Sequence, residues 1–195
     1  MSEGGGIKEV IPILFLTIVV CISVVLLVLT DSITRDLIEE NEAKEIQEKL
    51  EDIFPEMADY KENKTLGVYI VRDDTGEIGV AFIVEGKGYG GVIKMLLGLD
   101  MNLSEIVNEE KDTDVLIKGM KIIPPISETP GLGAKIEEDS FQDQFKNKAV
   151  GDLELGEGID GITGATISSK GVVNDLKKAA VTKIKLIKDK LGGEV

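Results

Sequence analysis

The sequence contains no histidine, no tryptophan and only one cysteine among its 195 residues. Without histidine, the chain lacks the side chain that most often acts as a general base near neutral pH and that binds most transition metals. A single thiol, Cys21, can neither close a disulfide within the chain nor hold an iron–sulfur cluster. Triad hydrolases and metalloenzymes are therefore poorly supported, and any redox chemistry would need an organic cofactor.

Positive charge is also scarce. The chain has 22 Lys and Arg residues against 36 Asp and Glu residues, a net charge of −14. Such a surface repels phosphate backbones, so binding to nucleic acid is disfavoured. Hydrophobic residues still make up 43% of the sequence, which is enough for one folded domain beside an anchor.

An uncharged run of mainly Ile, Val and Leu covers residues 10–30. Its length matches the roughly 20 helical residues that cross a bilayer core. Pro12 lies near its start, where a helix tolerates proline best. We interpret the run as a transmembrane anchor after a tail of residues 1–9. A cleaved signal peptide is the alternative, but the run exceeds a typical signal core and lacks an A-x-A-like cleavage site.

After the anchor, the hydrophobic spacing predicts an α+β domain with a twisted, mostly antiparallel sheet and packed helices. We interpret residues 31–55 as a helical linker capped by Asp31 or Ser32 and ended by Pro55, with a solvated stalk as the alternative for its first half. Turn residues 73–76 predict a hairpin. The predicted strands cover residues 66–72, 78–85, 92–99 and 115–123, and the predicted helices residues 103–107, 137–146 and 170–191.

Small and hydroxyl-bearing residues are concentrated directly before the last predicted helix, where residues 160–169 read DGITGATISS. A helix start offers free amides and a positive dipole end, which stabilise a phosphate without a basic patch. Gly164 and Ala165 would let a ligand approach the backbone closely, and Ser168 or Ser169 would cap the helix. By themselves, these residues indicate a capped helix after a glycine turn more strongly than an anion site.

The same segment resembles the flavin-attachment motif of the FMN-binding domain family. The matching pattern is Asp160-x-x-Thr163-Gly164-Ala165-Thr166. In that family the last threonine of the motif carries FMN through a phosphoester bond, which a separate flavin transferase installs with FAD as donor. The resemblance therefore implies covalent FMN at Thr166.

Two other segments resemble the same family. Residues 127–136, SETPGLGAKI, are similar to its second hallmark, and residues 88–91, GYGG, fit its upstream element. The resemblance implies that Leu132 lies against the flavin ring and that Thr129 or Glu128 lies near its polar edge. A structural Pro-Gly turn is the alternative, and Tyr89 fits the core as well as the cofactor. The cofactor contacts expected from this turn are Glu128, Thr129, Leu132 and Gly133.

The three segments, in this order behind an N-terminal span, are most similar to the G subunit of the Rnf ion-translocating ferredoxin:NAD oxidoreductase. The C subunit of the sodium-translocating NADH:quinone reductase is a relative. The resemblance implies an electron-relay subunit without catalytic residues of its own. Its partners would be the other subunits of a membrane complex, a flavin transferase and membrane lipid. The alternatives are the equivalent flavin subunit of the quinone reductase and a non-redox membrane-anchored assembly module.

The resemblance also implies a single pass through the cell (inner) membrane, with the FMN-binding domain, residues 56–195, on the outer side. The positive charges around the span are too few to set this orientation. The span holds no ionisable residue, so an ion pathway, for Na⁺ or H⁺, is expected in other subunits. Residues 100–114 form a longer connection between two strands than the family pattern predicts.

Overall fold

The computed structural model describes residues 5–192, in two compact units that divide between Lys44 and Glu45. Helix α1 comprises Gly5–Ile53. The expected helix start at Asp31 or Ser32 is wrong, because the helical backbone continues through both residues. Asp31 instead accepts a hydrogen bond from Arg35, one turn later, at 2.9 Å.

Residues 11–30, which hold nearly all of the apolar part of α1, are exposed. Helix α1 is the one helix in the described part of the chain that is long and apolar enough to cross a membrane. Its hydroxyls bond within the helix: Thr17 Oγ1 donates to Ile13 O, and Ser23 Oγ donates to Val19 O, both at 2.9 Å. These bonds satisfy groups that would be costly to leave unpaired in lipid.

Five antiparallel strands, in the order in which they occur in the chain, form the sheet of the second unit. The predicted α+β class and the hairpin turn are confirmed: Asp73 Oδ1 accepts from Thr75 N and Gly76 N at 2.7 and 2.9 Å. The strands are β1 Asp59–Asn63, β2 Val68–Arg72, β3 Glu77–Lys87, β4 Val92–Leu99 and β5 Ile117–Ile123.

The sheet is covered by apolar side chains on both faces. The larger core joins one face to the C-terminal helix through residues such as Phe82, Leu97 and Ile184, all fully buried. The end of α1 packs on the other face, where Phe54 lies so close to Gly79 and Gly98 that a Cβ at either glycine would meet its ring. The residues of α1 and its end that belong to this second core are Ile46, Leu50, Ile53 and Phe54.

Residues 100–114 are folded onto the domain. Helix α2, Leu103–Asn108, begins with a capping box in which Asn102 and Glu105 each bond the other's backbone amide. Ile106 is fully buried in the larger core. Lys188 fastens the end of the segment, since its Nζ donates to Asp112 Oδ1 at 2.6 Å and to the backbone oxygen of Glu109 at 2.7 Å.

The final helical stretch begins four residues earlier than predicted. Helix α4, Thr166–Lys170, leads into a π-helical turn at Gly171–Asp175 and then into α5, Leu176–Leu191. Residues 137–146 divide into 3-10 turns around α3, Asp139–Gln142. Phe141 and Phe145 do share one face, with ring centroids 5.7 Å apart.

The π-helical turn lies directly against the end of β3. Asp175 Oδ2 accepts a hydrogen bond from Lys87 N at 2.8 Å. A Cβ at Gly171 would collide with the carbonyl oxygen of Lys87 and lie 2.8 Å from its carbonyl carbon. The absence of a side chain at Gly171 therefore sets how closely the C-terminal helix approaches the sheet.

Replacing Gly171 with alanine is expected to lower the free energy of unfolding by about 1–3 kcal/mol, because two backbones must separate to admit the methyl group. Chemical denaturation of the domain measures this effect. The matched control is Gly119→Ala in β5, where the added Cβ would meet only Ile53 at an ordinary 3.4 Å. Equal stability of the two variants would contradict the close packing at Gly171.

A partly exposed ion pair joins the start of the sheet domain to β5. Lys118 Nζ lies 2.8 Å from Glu56 Oε1 and 3.3 Å from Asp100 Oδ1. The hydrogen bond from Lys118 lowers the pKa of Glu56 below its ordinary 4.5. The hydrogen bond to Glu56 raises the pKa of Lys118 above its ordinary 10.5. The pair thus stabilises the fold between these two ordinary values.

Glu56→Gln is expected to lower the free energy of unfolding by about 0.2–1 kcal/mol at neutral pH, as is usual for exposed pairs. The lowered pKa of Glu56 means that its contribution is lost as pH falls through the folded value, so the deficit should shrink below pH 4.5. Denaturation curves at several pH values measure it. The exposed carboxylate of Glu157 provides the control, Glu157→Gln. If the loss of stability in Glu56→Gln did not change with pH, the ion pair would not be its cause.

Candidate functional site

The three segments singled out in the sequence meet at one cleft of about 420 Å³. This volume lies within the range of about 300–1,000 Å³ that is usual for ligand pockets. The chain therefore brings together, in one concave site, residues that are up to 79 positions apart (Tyr89 and Ser168). The lining residues are Tyr89, Glu128, Thr129, Leu132, Gly133, Gly164, Ala165, Thr166, Ile167 and Ser168.

Thr166 is the first residue of α4, and its side chain is exposed at the cleft. The first hydrogen bond of this helix runs from Ser169 N to Ala165 O at 3.0 Å. The amides of Thr166, Ile167 and Ser168 precede that bond, and no side chain caps them in the described chain. They can therefore donate to an anion beside the Thr166 hydroxyl.

Neither serine caps this helix, so that expectation is wrong. Ser168 and Ser169 lie inside the helix and are 1% and 0% exposed. Ser169 Oγ donates to Ala165 O and accepts from Ile162 N, both at 3.0 Å, which fixes the loop before the helix. Ser168 Oγ donates to Glu128 Oε2 at 2.5 Å. The helix therefore begins at Thr166, before both serines, with Ser168 bonded to Glu128, 40 residues away, and Ser169 bonded to the loop directly before the helix.

The cleft wall is shaped by glycine at two positions. Gly164 has a φ of +82°, a left-handed conformation that favours glycine, and its missing Cβ would lie 3.2 Å from Leu132 Cδ2. At Gly133, a Cβ would collide with the carboxylate of Glu128 and approach Ser168 Oγ to 3.0 Å. A side chain at Gly164 would crowd Leu132, and one at Gly133 would displace Glu128.

Large apolar side chains form an exposed rim. Leu132 is 46% exposed, Ile167 56% and Tyr89 72%. Tyr89 is therefore not a core residue. Ile167 is a cleft residue that the sequence interpretation missed, although its apolar character directly after Thr166 was a visible signal. Exposed apolar groups around a cleft are typical of a surface that a ligand or partner covers.

Charge at the cleft is confined to Glu128 among the lining residues that the structure describes. Lys135 lies in the neighbouring 3-10 turn, Gly133–Glu137, and is not part of the lining. An anion at Thr166 would consequently be stabilised by backbone amides and the helix dipole, with no lysine or arginine in the cleft wall.

Two expected site residues lie outside the cleft lining. Asp160 and Thr163 are exposed in the loop that precedes α4. Asp160 N donates to Gln144 Oε1 at 2.6 Å, and Gln144 Nε2 donates to Asp160 O at 3.4 Å. Gln144, which no motif pointed to, thus holds the start of this loop. The other seven expected residues line the cleft together: Glu128, Thr129, Leu132, Gly133, Gly164, Ala165 and Thr166.

Comparison with known protein families identifies the segment that carries this cleft. The model of the FMN-binding domain matches residues 88–181. This range contains all three cleft-forming segments and the first part of α5.

Similar proteins share much of the chain. The G subunit of the ion-translocating oxidoreductase complex from Methanosarcina acetivorans is 31% identical over 194 residues, covering 92% of this chain and 95% of the relative. The G subunit of the proton-translocating ferredoxin:NAD(+) oxidoreductase complex from Clostridium ljungdahlii is 37% identical over 112 residues, covering 53% of this chain and 54% of the relative.

A solved structure with the same fold is NqrC from Shewanella oneidensis. It superposes with a TM-score of 0.50 at 19% identity, covering 71% of this chain and 73% of that protein. At this identity the likeness concerns the fold alone. The alignment to the relative from Methanosarcina acetivorans, which is 31% identical and covers 92% of this chain, leads to one conclusion: the chain belongs to the family of G subunits of ion-translocating oxidoreductase complexes, and its residues 88–181 match the FMN-binding domain.

Proposed function

We propose that this chain is the electron-relay subunit of a membrane-bound ion-translocating ferredoxin:NAD oxidoreductase (Rnf) complex and carries FMN covalently at Thr166. The observation that carries the proposal is the position of Thr166. Its hydroxyl stands exposed at a helix start, within the cleft of an FMN-binding domain and beside amides that precede the first helical hydrogen bond. The family membership supports the type of complex.

The residues of the cleft fit FMN. The phosphate would be held by Thr166 and by the amides of Thr166 and Ile167 at the positive end of the helix dipole. Leu132 and Ile167 offer apolar surface to the ring system, and the missing side chain of Gly164 leaves room for it. Bound FMN would supply the capacity to accept and release electrons, which no side chain of this cleft has.

Attachment requires one hydroxyl to react and its neighbours to remain unmodified. In the reaction, the Thr166 Oγ1–phosphorus bond forms, the pyrophosphate bond of FAD breaks, AMP leaves and the hydroxyl proton is released. A flavin transferase supplies the catalysis, since the lining of this cleft holds no histidine or cysteine. Ser168, the nearest competing hydroxyl in sequence, is buried and bonded to Glu128, whereas Thr166 is accessible.

During turnover the chain would position the cofactor and keep it in the complex. Electron transfer requires neither a general acid nor a general base, so no side chain of the cleft needs to act as one. A covalent tether keeps FMN at a site with an exposed rim. The N-terminal part of α1 would anchor the chain in the membrane, with the flavin domain on the outer side. Because the span is uncharged, other subunits would conduct the ion.

Purification of the full, tagged chain from its own membranes in mild detergent tests this function. We expect the other subunits of a ferredoxin:NAD oxidoreductase to co-purify, and the band of this chain to fluoresce as flavin on a denaturing gel. The isolated complex should reduce NAD with reduced ferredoxin. The same complex purified with Thr166→Ala in this chain should keep its subunits and lose this electron transfer.

Two results would redirect the proposal. A fluorescent chain with quinone-reductase partners would assign it to the sodium-translocating NADH:quinone reductase. If the chain were not fluorescent when purified from cells with an active flavin transferase, the remaining account would be a non-redox assembly module, in which the Thr166 segment only begins a helix.

A further inference from the structure

Glu128 is a buried carboxylate that joins the three cleft-forming segments, and only 7% of its surface is exposed. Its Oε1 accepts a hydrogen bond from Gly90 N at 3.0 Å, and its Oε2 accepts one from Ser168 Oγ at 2.5 Å. These donors are 38 and 40 residues away in sequence. One side chain thus connects the glycine turn, its own segment and helix α4.

Glycines enclose this carboxylate. A Cβ at Gly88 would collide with Glu128 Oε1, and a Cβ at Gly133 would collide with Glu128 Oε2. The space around the side chain is therefore just large enough for the carboxylate in its present orientation. Turning it towards a ligand would break both hydrogen bonds and leave Ser168 Oγ buried without this acceptor, which is costly.

We propose that Glu128 is a positioning residue: it holds the turn of residues 88–91 and the start of the flavin-acceptor helix in the arrangement that presents Thr166. This inference rests on the proposed attachment of FMN at Thr166 and gives Glu128 a second role beside the expected contact near the polar edge of the flavin. Ser168 is the link to the acceptor, since it lies two residues after Thr166 and within the same helical turn.

The negative charge of Glu128 should also affect the midpoint potential of the flavin, which gives a second and independent test of its position. The carboxylate lies in the wall of the cleft that would hold the flavin, where burial weakens solvent screening. A negative charge there opposes the addition of electrons to a bound flavin. Its removal should therefore raise the midpoint potential of attached FMN, an effect that a purely structural brace would not produce.

The test uses the full chain produced with a limiting amount of flavin transferase, and it follows covalent FMN by intact mass over time. Glu128→Ala and Ser168→Ala should each load FMN about tenfold more slowly than the parent chain, the size expected when a hydrogen bond to a buried charge is lost. Glu128→Gln should load about threefold faster than Glu128→Ala, because its amide can accept from Gly90 N and donate to Ser168 Oγ.

A matched control is Asp175→Ala. It also removes a carboxylate that accepts from a backbone amide, Lys87 N at 2.8 Å, but it lies outside the cleft lining. Its loading rate should equal that of the parent chain. Thermal unfolding of each variant verifies that the domain is folded, and if Glu128→Ala does not fold, Ser168→Ala and Glu128→Gln decide. In loaded Glu128→Gln, the midpoint potential should be more positive than in the parent.

The outcomes separate this inference from the proposed function. A parent chain that acquires no FMN beside an active transferase would refute attachment itself. The positioning role is overturned if the parent chain acquires FMN and a correctly folded Glu128→Ala or Ser168→Ala variant acquires it equally fast. It is also overturned if Asp175→Ala slows loading as much as Glu128→Ala. An unchanged potential in Glu128→Gln would overturn the influence of its charge on the flavin.

Discussion

Thr166→Ala is expected to abolish covalent flavin attachment completely, because it removes the exposed hydroxyl at the helix start and leaves only buried or differently placed hydroxyls nearby. Thr166→Ser should retain attachment, since it keeps the nucleophilic oxygen at the same position. Both variants, produced with an active flavin transferase, can be compared by flavin fluorescence on a denaturing gel. The alanine change is at an exposed first helical position, so the fold should be preserved.

Thr182→Ala is the control for this comparison. Thr182 is an exposed threonine of α5 whose hydroxyl bonds only to Lys178 O, one turn earlier, at 2.8 Å. It should retain full fluorescence. If Thr166→Ala remained fluorescent, the flavin would have to be attached at another hydroxyl, and mapping of the modified peptide would identify that residue.

The second large effect concerns the length of chain that the FMN-binding domain needs. A shortened chain beginning at Glu45 should fold and remain soluble, because it omits the exposed apolar part of α1 and keeps the core residues at the end of the helix. A chain beginning at Glu56 should not fold. It loses Leu50, Ile53 and Phe54, each worth about 1.5–3 kcal/mol in burial, against a typical total stability of about 5–15 kcal/mol.

Circular dichroism and thermal unfolding of the two shortened chains measure this difference. Phe54→Ala in the chain beginning at Glu45 provides an intermediate case, with an expected loss of about 3–5 kcal/mol from the cavity left opposite Gly79 and Gly98. A stable, cooperatively unfolding chain from Glu56 would show that the second core contributes little to the fold.

The central part of the fold was predictable from the sequence for a clear physical reason. Strand β4 matches the predicted residues 92–99, since it is an apolar run, interrupted by Lys94, between a glycine-rich turn and a polar connection. Its neighbour β3 was recognisable from the turn that starts at Asp73, whose carboxylate bonds the amides that follow it. Local patterns were sufficient where burial and turn chemistry agree.

The missed elements depend on contacts that no local pattern reveals. Strand β1, Asp59–Asn63, is an edge strand of mostly polar residues and owes its conformation to pairing with β2. The start of α4 was placed too late because Ser168 and Ser169 resemble helix caps in sequence. In the structure Ser168 bonds to Glu128, 40 residues away in sequence, and Ser169 bonds to Ile162 in the preceding loop from a position inside the helix.

The candidate site follows the same division. The resemblance of three short motifs was enough to select seven of the cleft residues, but it also selected Asp160 and Thr163, which lie outside the lining. The position of a residue in the motif does not reveal whether it lines the cleft or belongs to the loop that leads to the cleft. The role of Glu128 as a connection between segments could be recognised only once its two hydrogen bonds were known.

The most direct test of the central claim is the intact mass, with peptide mapping, of this protein purified from its native membranes. We predict an added mass equal to one FMN phosphoester, located on the peptide that contains Thr166. An unmodified Thr166 peptide, from cells in which another protein is shown to receive flavin from an active transferase, would contradict the account.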